Sequence, residues 1–265
     1  MATKTSLLGL TKPEGSDKVQ VSVINDNMDI IDYATQRRDR VWNLLDNSDF
    51  RNPVNQRGLT TYTGVDFTID RWRTWSEGAV TVREGYISHE TAIYQTIATK
   101  LDTTKKYTYA AMNTDNVITV VSGFITNDLW QNGMHLIYNE GKPYVRIEPE
   151  AHLKNVVWAA LYEGEYTAET LPAYVPKGYA AELMECRRYY YEFDALVSSE
   201  SSGIGAPRRM FVTLPVPMRQ IPDVTYAVSG GNAPHEITMQ SNTTVDIASA
   251  DQGYSHLRVK LSADL

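Results

Sequence analysis

A short polar stretch with one tryptophan is the segment of this sequence best suited to bind a ligand. The stretch TNDLWQNGMH, residues 126–135, has Trp130 near its centre and Gly133 at a turn. Sugars offer apolar C–H faces that stack on aromatic rings, and hydroxyls that bond to amides or carboxylates. We therefore predict a carbohydrate-binding loop whose contacts come from Asn127, Asp128, Trp130 and Asn132. The alternative is that Trp130 is buried beside Leu129.

Three loops near the end of the chain are a second candidate for ligand contacts. The loops SGGNAPHE, MQSNTT and SADQGYSH are polar, and two of them contain glycine. Their hydrogen-bonding or aromatic members are Asn232, His235, Asn242, Gln252, Tyr254 and His256. Of these we predict Tyr254 and His256 as ligand contacts. The alternative is that each loop is an ordinary solvated hairpin turn.

A third polar stretch, NLLDNSDFRNPVNQRG at residues 43–58, precedes the first strands. We interpret it as structural rather than ligand-binding, because short polar side chains satisfy backbone groups where a strand begins with few ladder partners. Arg57 and Asp70 are expected to pair, with the guanidinium donating to the carboxylate. Trp72 is expected in the core rather than on a binding surface.

Two pairs of carboxylates have the spacing of partners on one strand face. Glu148 and Glu150 flank Pro149, and Glu163 and Glu165 flank Gly164. Paired carboxylates carry out glycoside hydrolysis, but neighbours at i, i+2 are also the usual exposed face of a sheet. The sequence has no Gly-rich phosphate loop, G-x-S-x-G elbow or HExxH motif. We therefore predict that the protein is not an enzyme.

The histidines and the cysteine predict neither a metal site nor a cofactor. The five histidines are scattered without metal-ligand spacing, and Cys186 is the only cysteine. A single cysteine excludes an internal disulfide and a multi-cysteine metal site. Cys186 is expected to be a small buried apolar residue rather than a nucleophile.

Composition bounds the class of protein. The chain has 265 residues, of which 42% are apolar, so it can build a substantial core. Its net charge of −7 disfavours nucleic-acid binding, which normally shows a basic face. No apolar run reaches 18 residues and the N-terminus has no signal-like apolar stretch, so we expect synthesis in the cytosol and no membrane insertion.

The N-terminal pattern predicts a helical stem from about Asp17. The 4-3-4-3-4 spacing typical of a coiled coil is formed by Ile24, Met28, Ile31, Thr35, Arg38 and Trp42. The second half of that seam is polar, and the stretch covers under three heptads. We therefore expect a short oligomerising stem with Ile24, Met28 and Ile31 as its contacts.

From Asn43 the pattern changes to period two, which predicts a mainly β protein. Strand-like segments at about ten-residue spacing predict an antiparallel β-sandwich or jelly roll over residues 43–175. A helix is predicted over residues 179–193, and one of its faces contains Leu183, Cys186, Tyr190 and Phe193. Further strand-like segments predict a small C-terminal β unit, so the chain is expected to have three parts, 1–42, 43–175 and 176–265. Its last strand should point Leu257, Val259 and Leu261 inward, with Arg258 and Lys260 outward.

Four segments together resemble phage tail proteins. LLGLTKPEGSDKVQVSVINDNMDIID resembles the N-terminal attachment segment of tail-fibre and receptor-binding proteins of phages and prophages of Gram-positive bacteria. NLLDNSDFRNPVNQRG, followed by FTIDRW, resembles the beginning of a jelly-roll domain found in many such proteins. AYVPKGYAAELMECRRYYYEF and FVTLPVPMRQIPDV resemble the segments that follow it. The middle strands and residues 223–265 lie outside this similarity.

The resemblance implies an intertwined homotrimer on a virion tail or a tail-like particle. It implies that the N-terminal segment binds tail or baseplate proteins, and that the β domains bind a host cell-surface or cell-wall glycan whose sugar it does not identify. Two alternatives stay open, a baseplate or connector protein that binds no receptor and a glycan depolymerase.

Overall fold

The computed structural model describes residues 3–4, 10–12, 22–28, 41–126, 128–139, 142–199, 209–232, 234, 236–248 and 253–264. The chain divides into two compact units, residues 1–42 and residues 43–265. The larger unit is built from antiparallel sheets, which confirms the predicted mainly β class. The three-part division of the chain stays a prediction. Within the described ranges, no helix is long and apolar enough to cross a membrane.

In the N-terminal unit, one asparagine ties a helix to a short strand pair. Strand β1 (Thr3–Lys4) pairs with β2 (Thr11–Lys12), and helix α1 comprises residues 22–28. Asn27 Oδ1 accepts the Thr11 N–H, and Asn27 Nδ2 donates to the Thr11 carbonyl, both at 2.9 Å. Two of the predicted stem contacts, Ile24 and Met28, lie exposed on α1. The third, Ile31, lies outside the described residues.

The predicted stem helix does not reach Trp42, because residues 41–45 are irregular. The chain has to leave the helical conformation before Leu44, whose N–H donates to the Leu161 carbonyl at 2.9 Å. The a/d spacing indicates side chains that suit a coiled coil, but it does not show that the residues after them bond to a sheet. The prediction was therefore wrong at the end of the helix.

Two antiparallel sheets enclose the main apolar core. The strands of the five-stranded sheet are, in spatial order, β10 (Leu129–Gln131), β11 (Met134–Asn139), β12 (Lys142–Ile147), β7 (Ile93–Thr96) and β4 (Arg73–Thr74). The strands of the six-stranded sheet are β3 (Thr61–Thr63), β5 (Ala79–Arg83), β6 (Tyr86–His89), β13 (Asn155–Glu163), β8 (Lys106–Asn113) and β9 (Ile118–Phe124). Inward side chains of both sheets belong to one buried cluster, so the arrangement is sandwich-like, as predicted.

Alternation along each strand decides which side chains enter this core. On β12, Val145 and Ile147 are fully buried, whereas Tyr144 and Arg146 are on the other face. Trp72 is 0% exposed, which confirms its predicted place in the core. Its indole N–H donates to the Asn47 carbonyl at 3.0 Å.

The segment predicted as one helix over residues 179–193 is half helix and half strand. Helix α2 (Tyr179–Cys186) is followed by β14 (Tyr190–Ser199), so Tyr190 and Phe193 do not share a helical face with Leu183 and Cys186. Strand β14, which begins with two tyrosines, pairs along its whole length with β19 (Gly253–Ser262). Aromatic residues favour strands when a partner strand is present, and local periodicity does not reveal that partner. Cys186 is buried as predicted, and burial raises the pKa of its thiol.

The C-terminal β unit consists of two three-stranded sheets around a second apolar core. One sheet has the order β14, β19 and β16 (Asp223–Gly231). The other has the order β15 (Arg209–Thr213), β18 (Thr244–Ala248) and β17 (Glu236–Ser241). On β19, Leu257, Val259 and Leu261 are buried and Arg258 and Lys260 are exposed, as predicted.

The polar stretch at residues 43–58 is mostly buried or half-buried, and it contacts α2. Asn47 Nδ2 donates to the carbonyls of Val54 and Asp70 at 2.8 and 2.7 Å, and Asn47 Oδ1 accepts the Val54 N–H at 2.7 Å. The Asn47 N–H donates to Glu182 Oε2 of α2 at 2.8 Å. Burial raises the pKa of Glu182 to about 7, although the hydrogen bond donated by the Asn47 N–H lowers it.

The same stretch also holds the C-terminal β unit. Arg57 Nη1 lies 3.6 Å from Asp70 Oδ1, which confirms the predicted ion pair, but the predicted hydrogen bond goes elsewhere, because Arg57 Nη2 donates to Asp264 Oδ2 at 2.8 Å. Gln56 Nε2 donates to Asp70 Oδ1 and to the Tyr190 carbonyl. These side chains take protein partners, so the structural interpretation of the stretch is supported. We call the set Asn47, Gln56, Arg57, Asp70, Glu182 and Asp264 the junction.

Candidate functional site

Trp130 lies on β10, at one edge of the five-stranded sheet, and is 72% exposed. Asn132 and Gly133 join β10 to β11 with φ values of 51° and 75°. Asn-Gly is the preferred sequence for such a two-residue turn, because both positions need the left-handed conformation. The predicted loop is therefore a tight hairpin, and the alternative of a buried Trp130 is wrong.

The indole of Trp130 rests on the ring of His135, with the centroids 4.6 Å apart and the planes at 25°. His135 is buried. Burial lowers the pKa of His135 and the nearby Arg146 charge lowers it further, so the neutral form of the imidazole is favoured. Because a neutral ring covers one face of the indole and Trp130 is largely exposed, the opposite face is free to stack on a ligand.

Trp130 is the first member of a row of side chains that crosses the five-stranded sheet. The strand register aligns, one strand after another, Trp130, His135, Arg146, Tyr94 and Arg73. Directly opposed residues share a face of a sheet, and these five share the face opposite to the core. We call them the outer row.

Two further rings adjoin the middle of the outer row. Trp75 and Tyr144 are stacked, with centroids 6.0 Å apart and planes at 19°. Tyr94 meets both rings edge-on, at 5.5 and 6.1 Å. The guanidinium carbon of Arg146 lies 4.4 Å from the centroid of the Trp75 ring, and Arg146 is also paired with Glu148. The outer row together with Trp75 and Tyr144 forms the surface that we call the outer face.

The structure brings together only part of the predicted site. Asp128 and Asn132 lie exposed on either side of β10 with Trp130, and Asp128 is close enough to raise the pKa of Tyr144, although burial is the larger cause. The conformation of Asn132 is already explained by the turn. Asn127 lies outside the described residues.

The two C-terminal candidates belong to a different sheet. Tyr254 and His256 are exposed on β19 of the C-terminal β unit. Nearby, the Asn232 N–H donates to the Tyr254 carbonyl at 2.8 Å, and Asn242 Nδ2 donates to the Met218 carbonyl at 2.9 Å. His235 and Gln252 lie outside the described residues. Tyr254 and His256 remain predicted contacts that are separate from the outer face.

Sequence reasoning missed most of the outer face, although the sequence contains a signal. In RWRTW, residues 71–75, Trp72 and Thr74 are buried, so period-two alternation places Arg73 and Trp75 outward. In KPYVRI the same alternation places Tyr144 and Arg146 outward. Isolated strands give no information about which of them are neighbours, so these residues could not be grouped.

Each carboxylate considered for catalysis has a basic side chain close to it. Glu163 and Glu165 pair with Lys105 and Lys106, both at 2.5 Å. Glu148 pairs with Arg146, and Glu150 Oε2 lies 3.6 Å from His152 Nδ1. In the part of the chain that the structure describes, no three His, Cys, Asp or Glu residues are placed to hold a metal ion.

Comparisons with known proteins were made at three levels. No protein-family model, no curated protein and no solved structure matches the chain. The function proposed below is therefore supported by the geometry of the outer face and by the resemblance of the four sequence segments.

Proposed function

We propose that this protein is the receptor-binding tail fibre or tip of a phage or a phage-tail-like particle, and that it binds a host cell-surface or cell-wall glycan through the outer face. The observation that carries the proposal is Trp130, an indole that is 72% exposed and backed by His135. A large ring that stacks on a neighbour and has one open face suits the apolar C–H face of a sugar. The particle setting is supported by the resemblance of the sequence segments to phage proteins.

The proposed assembly is an intertwined homotrimer whose sandwich is a jelly roll. Residues 1–42 are proposed to join it to tail or baseplate proteins. On edge strand β16, Tyr226 and Val228 oppose the buried Val259 and Leu257, yet they are 46% and 41% exposed. Because opposed residues share a face, this inner face is open along β16. A second copy of the chain packed there would cover it.

The proposed function includes no catalytic step and no cofactor. The carboxylates with glycosidase-like spacing, Glu163 and Glu165, sit on the sheet surface with lysine partners. Such pairs are typical of an exposed sheet face. Release of reducing sugars from host wall glycans would contradict this part of the proposal.

The second candidate function is that of a baseplate or connector protein that binds no receptor. It is favoured by the large apolar side chains that the C-terminal β unit exposes, Leu196, Phe211, Ile221 and Tyr226. Apolar surface of this kind marks contacts with other proteins. Tyr226 belongs to both proposed contact surfaces, so the trimer and the connector would share it, whereas the outer face is used by the receptor-binding function alone.

A glycan array with the purified protein tests the proposal. We expect hits among bacterial wall glycans that are lost in Trp130→Ala and retained in Phe124→Ala, because Phe124 is an exposed ring on the six-stranded sheet. The connector function would be favoured if the array gave no hits and if particles carrying Trp130→Ala adsorbed to host cells as well as the parent particles do. Light scattering on the purified protein should give the mass of three chains, and the mass of one chain would overturn the proposed trimer.

A further inference from the structure

The end of the outer row opposite to Trp130 is a guanidinium. Arg73 lies on edge strand β4, four strands away from β10, which corresponds to about 19 Å at a strand spacing of about 4.8 Å. Its guanidinium carbon lies 4.6 Å from the centroid of the Phe67 ring and 5.7 Å from that of Tyr94. The group is half-buried and held between two rings, so its position is fixed.

Among the described residues, no carboxylate lies within ion-pair distance of Arg73, and its buried Nε has no acceptor. Arg57 and Arg71 differ, because each faces an aspartate. Of the two aspartates nearest in sequence, Asp70 faces Arg57, and Asp66 has Oδ1 engaged by the Phe67 N–H at 2.7 Å. Removing a guanidinium from water without an anionic partner is costly, and cation–π contacts offset only part of that cost.

Charge is distributed unevenly along the outer face. Asp128 is exposed near Trp130, at one end, and Arg73 is at the other end. In the middle, Arg146 is paired with Glu148, and its buried Nε also lacks an acceptor among the described residues. The net-acidic chain therefore presents a positive end on this face, next to the stacked rings of Trp75 and Tyr144.

We infer that the glycan bound by the outer face carries an anionic group, a carboxylate or a phosphate, and lies across the strands with a sugar ring on Trp130 and the anionic group at Arg73. The inference rests on the function proposed above. A planar guanidinium donates to a carboxylate or phosphate through two parallel hydrogen bonds. The rings of Tyr94, Trp75 and Tyr144 would contact the intervening sugars.

Calorimetric titration of the full-length protein with three polymers of matched length tests this inference. The polymers are polygalacturonate, a glucosylated poly(glycerol phosphate) and the neutral glucan dextran. We expect one of the two anionic polymers to bind. Raising NaCl from 50 to 500 mM should weaken that binding, because the screening length falls from roughly 14 to roughly 4 Å. Which anionic polymer binds distinguishes carboxylate from phosphate.

Substitution of Arg73 identifies the residue responsible. Arg73→Met should weaken anionic binding roughly tenfold or more, because a hydrogen bond to a charged group is lost. Arg73→Lys keeps the charge without the planar fork and should recover part of the affinity. Arg83→Met is the matched control, since Arg83 is exposed on the six-stranded sheet, and it should bind as the parent protein does.

The outcomes separate this inference from the proposed function. If dextran binds as tightly as the anionic polymers and Arg73→Met changes nothing, the inference is overturned and glycan binding stands. If neither the polymers nor bacterial wall preparations bind, the proposed function fails and takes the inference with it. If Arg73→Met lowers the melting temperature, the test passes to Arg73→Lys and to the salt titration of the parent protein. An affinity of the parent for the anionic polymer that does not change with salt would then overturn the inference.

Discussion

The junction and the β10–β11 hairpin have similar compositions and opposite surroundings. Each contains an asparagine with positive φ, Asn47 in the first and Asn132 in the second. The side chain of Asn47 is buried and bonds to the backbone of Val54 and Asp70, whereas Asn132 is exposed. Each also has a tryptophan beside it, and Trp72 is buried where Trp130 is not.

The comparison teaches that polar composition does not identify a binding surface. At the junction, the polar groups satisfy backbone donors and acceptors that burial would otherwise leave unpaired. At the hairpin, β10 is an edge strand that pairs with β11 on one side, and the side chains of Asp128 and Trp130 face solvent. Stability should therefore depend on the first region and ligand affinity on the second.

The largest expected difference lies between the two tryptophans. Trp72→Ala should lower the free energy of unfolding by about 5 kcal/mol, because it leaves a large cavity beside Phe50. Trp130→Ala should change it by less than about 1 kcal/mol, since the ring is mostly exposed. Urea denaturation of both variants measures the two values. Equal losses would show that Trp130 is structural.

The two asparagines give the next difference. Asn47→Ala should destabilise the protein by about 3–4 kcal/mol, because it leaves the Val54 N–H and two carbonyls buried without partners. Asn132→Ala is the matched control for backbone strain, since it also has positive φ, and should cost about 1 kcal/mol. Chemical denaturation at pH 7 measures both. A loss at Asn47 no greater than that at Asn132 would contradict the role assigned to its hydrogen bonds.

The junction should also make stability depend on pH. Burial raises the pKa of Glu182 from 4.5 to about 7, so the folded protein binds more protons than the unfolded chain between these values. The free energy of unfolding should therefore fall as the pH rises from about 4.5 to about 7, by up to about 3 kcal/mol. Burial raises the pKa values of Asp70 and Asp264 as well, which acts in the same direction.

Glu182→Gln isolates that contribution. The variant should be more stable than the parent at pH 8 and similar at pH 4.5, so its stability should vary less with pH. Glu185→Gln removes a more exposed carboxylate from the same helix and should keep the parental slope. Denaturation midpoints measured from pH 4.5 to 8 provide the test. A parent protein that becomes more stable over this range would refute the predicted sign.

The smallest expected effect concerns affinity at the hairpin. Trp130→Ala should cost about 1–3 kcal/mol of glycan binding per site, by analogy with base–aromatic stacking, which is roughly a tenfold to hundredfold loss. Phe124→Ala should retain the parental affinity. At a cell surface the proposed trimer would magnify the loss through avidity. Unchanged adsorption with an unchanged melting curve would move the predicted contacts to Tyr254 and His256.

The sequence by itself determined the class of the fold and much of its interior. Alternation predicted the mainly β architecture and the inward Leu257, Val259 and Leu261, which are all buried. Residue chemistry predicted the buried Trp72 and the pairing of Arg57 with Asp70. The inward residues of β19 were predicted correctly because side-chain direction along a strand is a local property of the backbone.

Only the tertiary structure decided which strands are neighbours and which rings face solvent. The outer row joins Arg73, Tyr94, Trp130, His135 and Arg146, which come from five strands. In the C-terminal β unit, the second half of the helix predicted over residues 179–193 is instead strand β14, because β19 is present as its partner. Strand pairing and burial are contacts between residues distant in sequence, so local spacing predicts the face of each side chain but not what lies beside it.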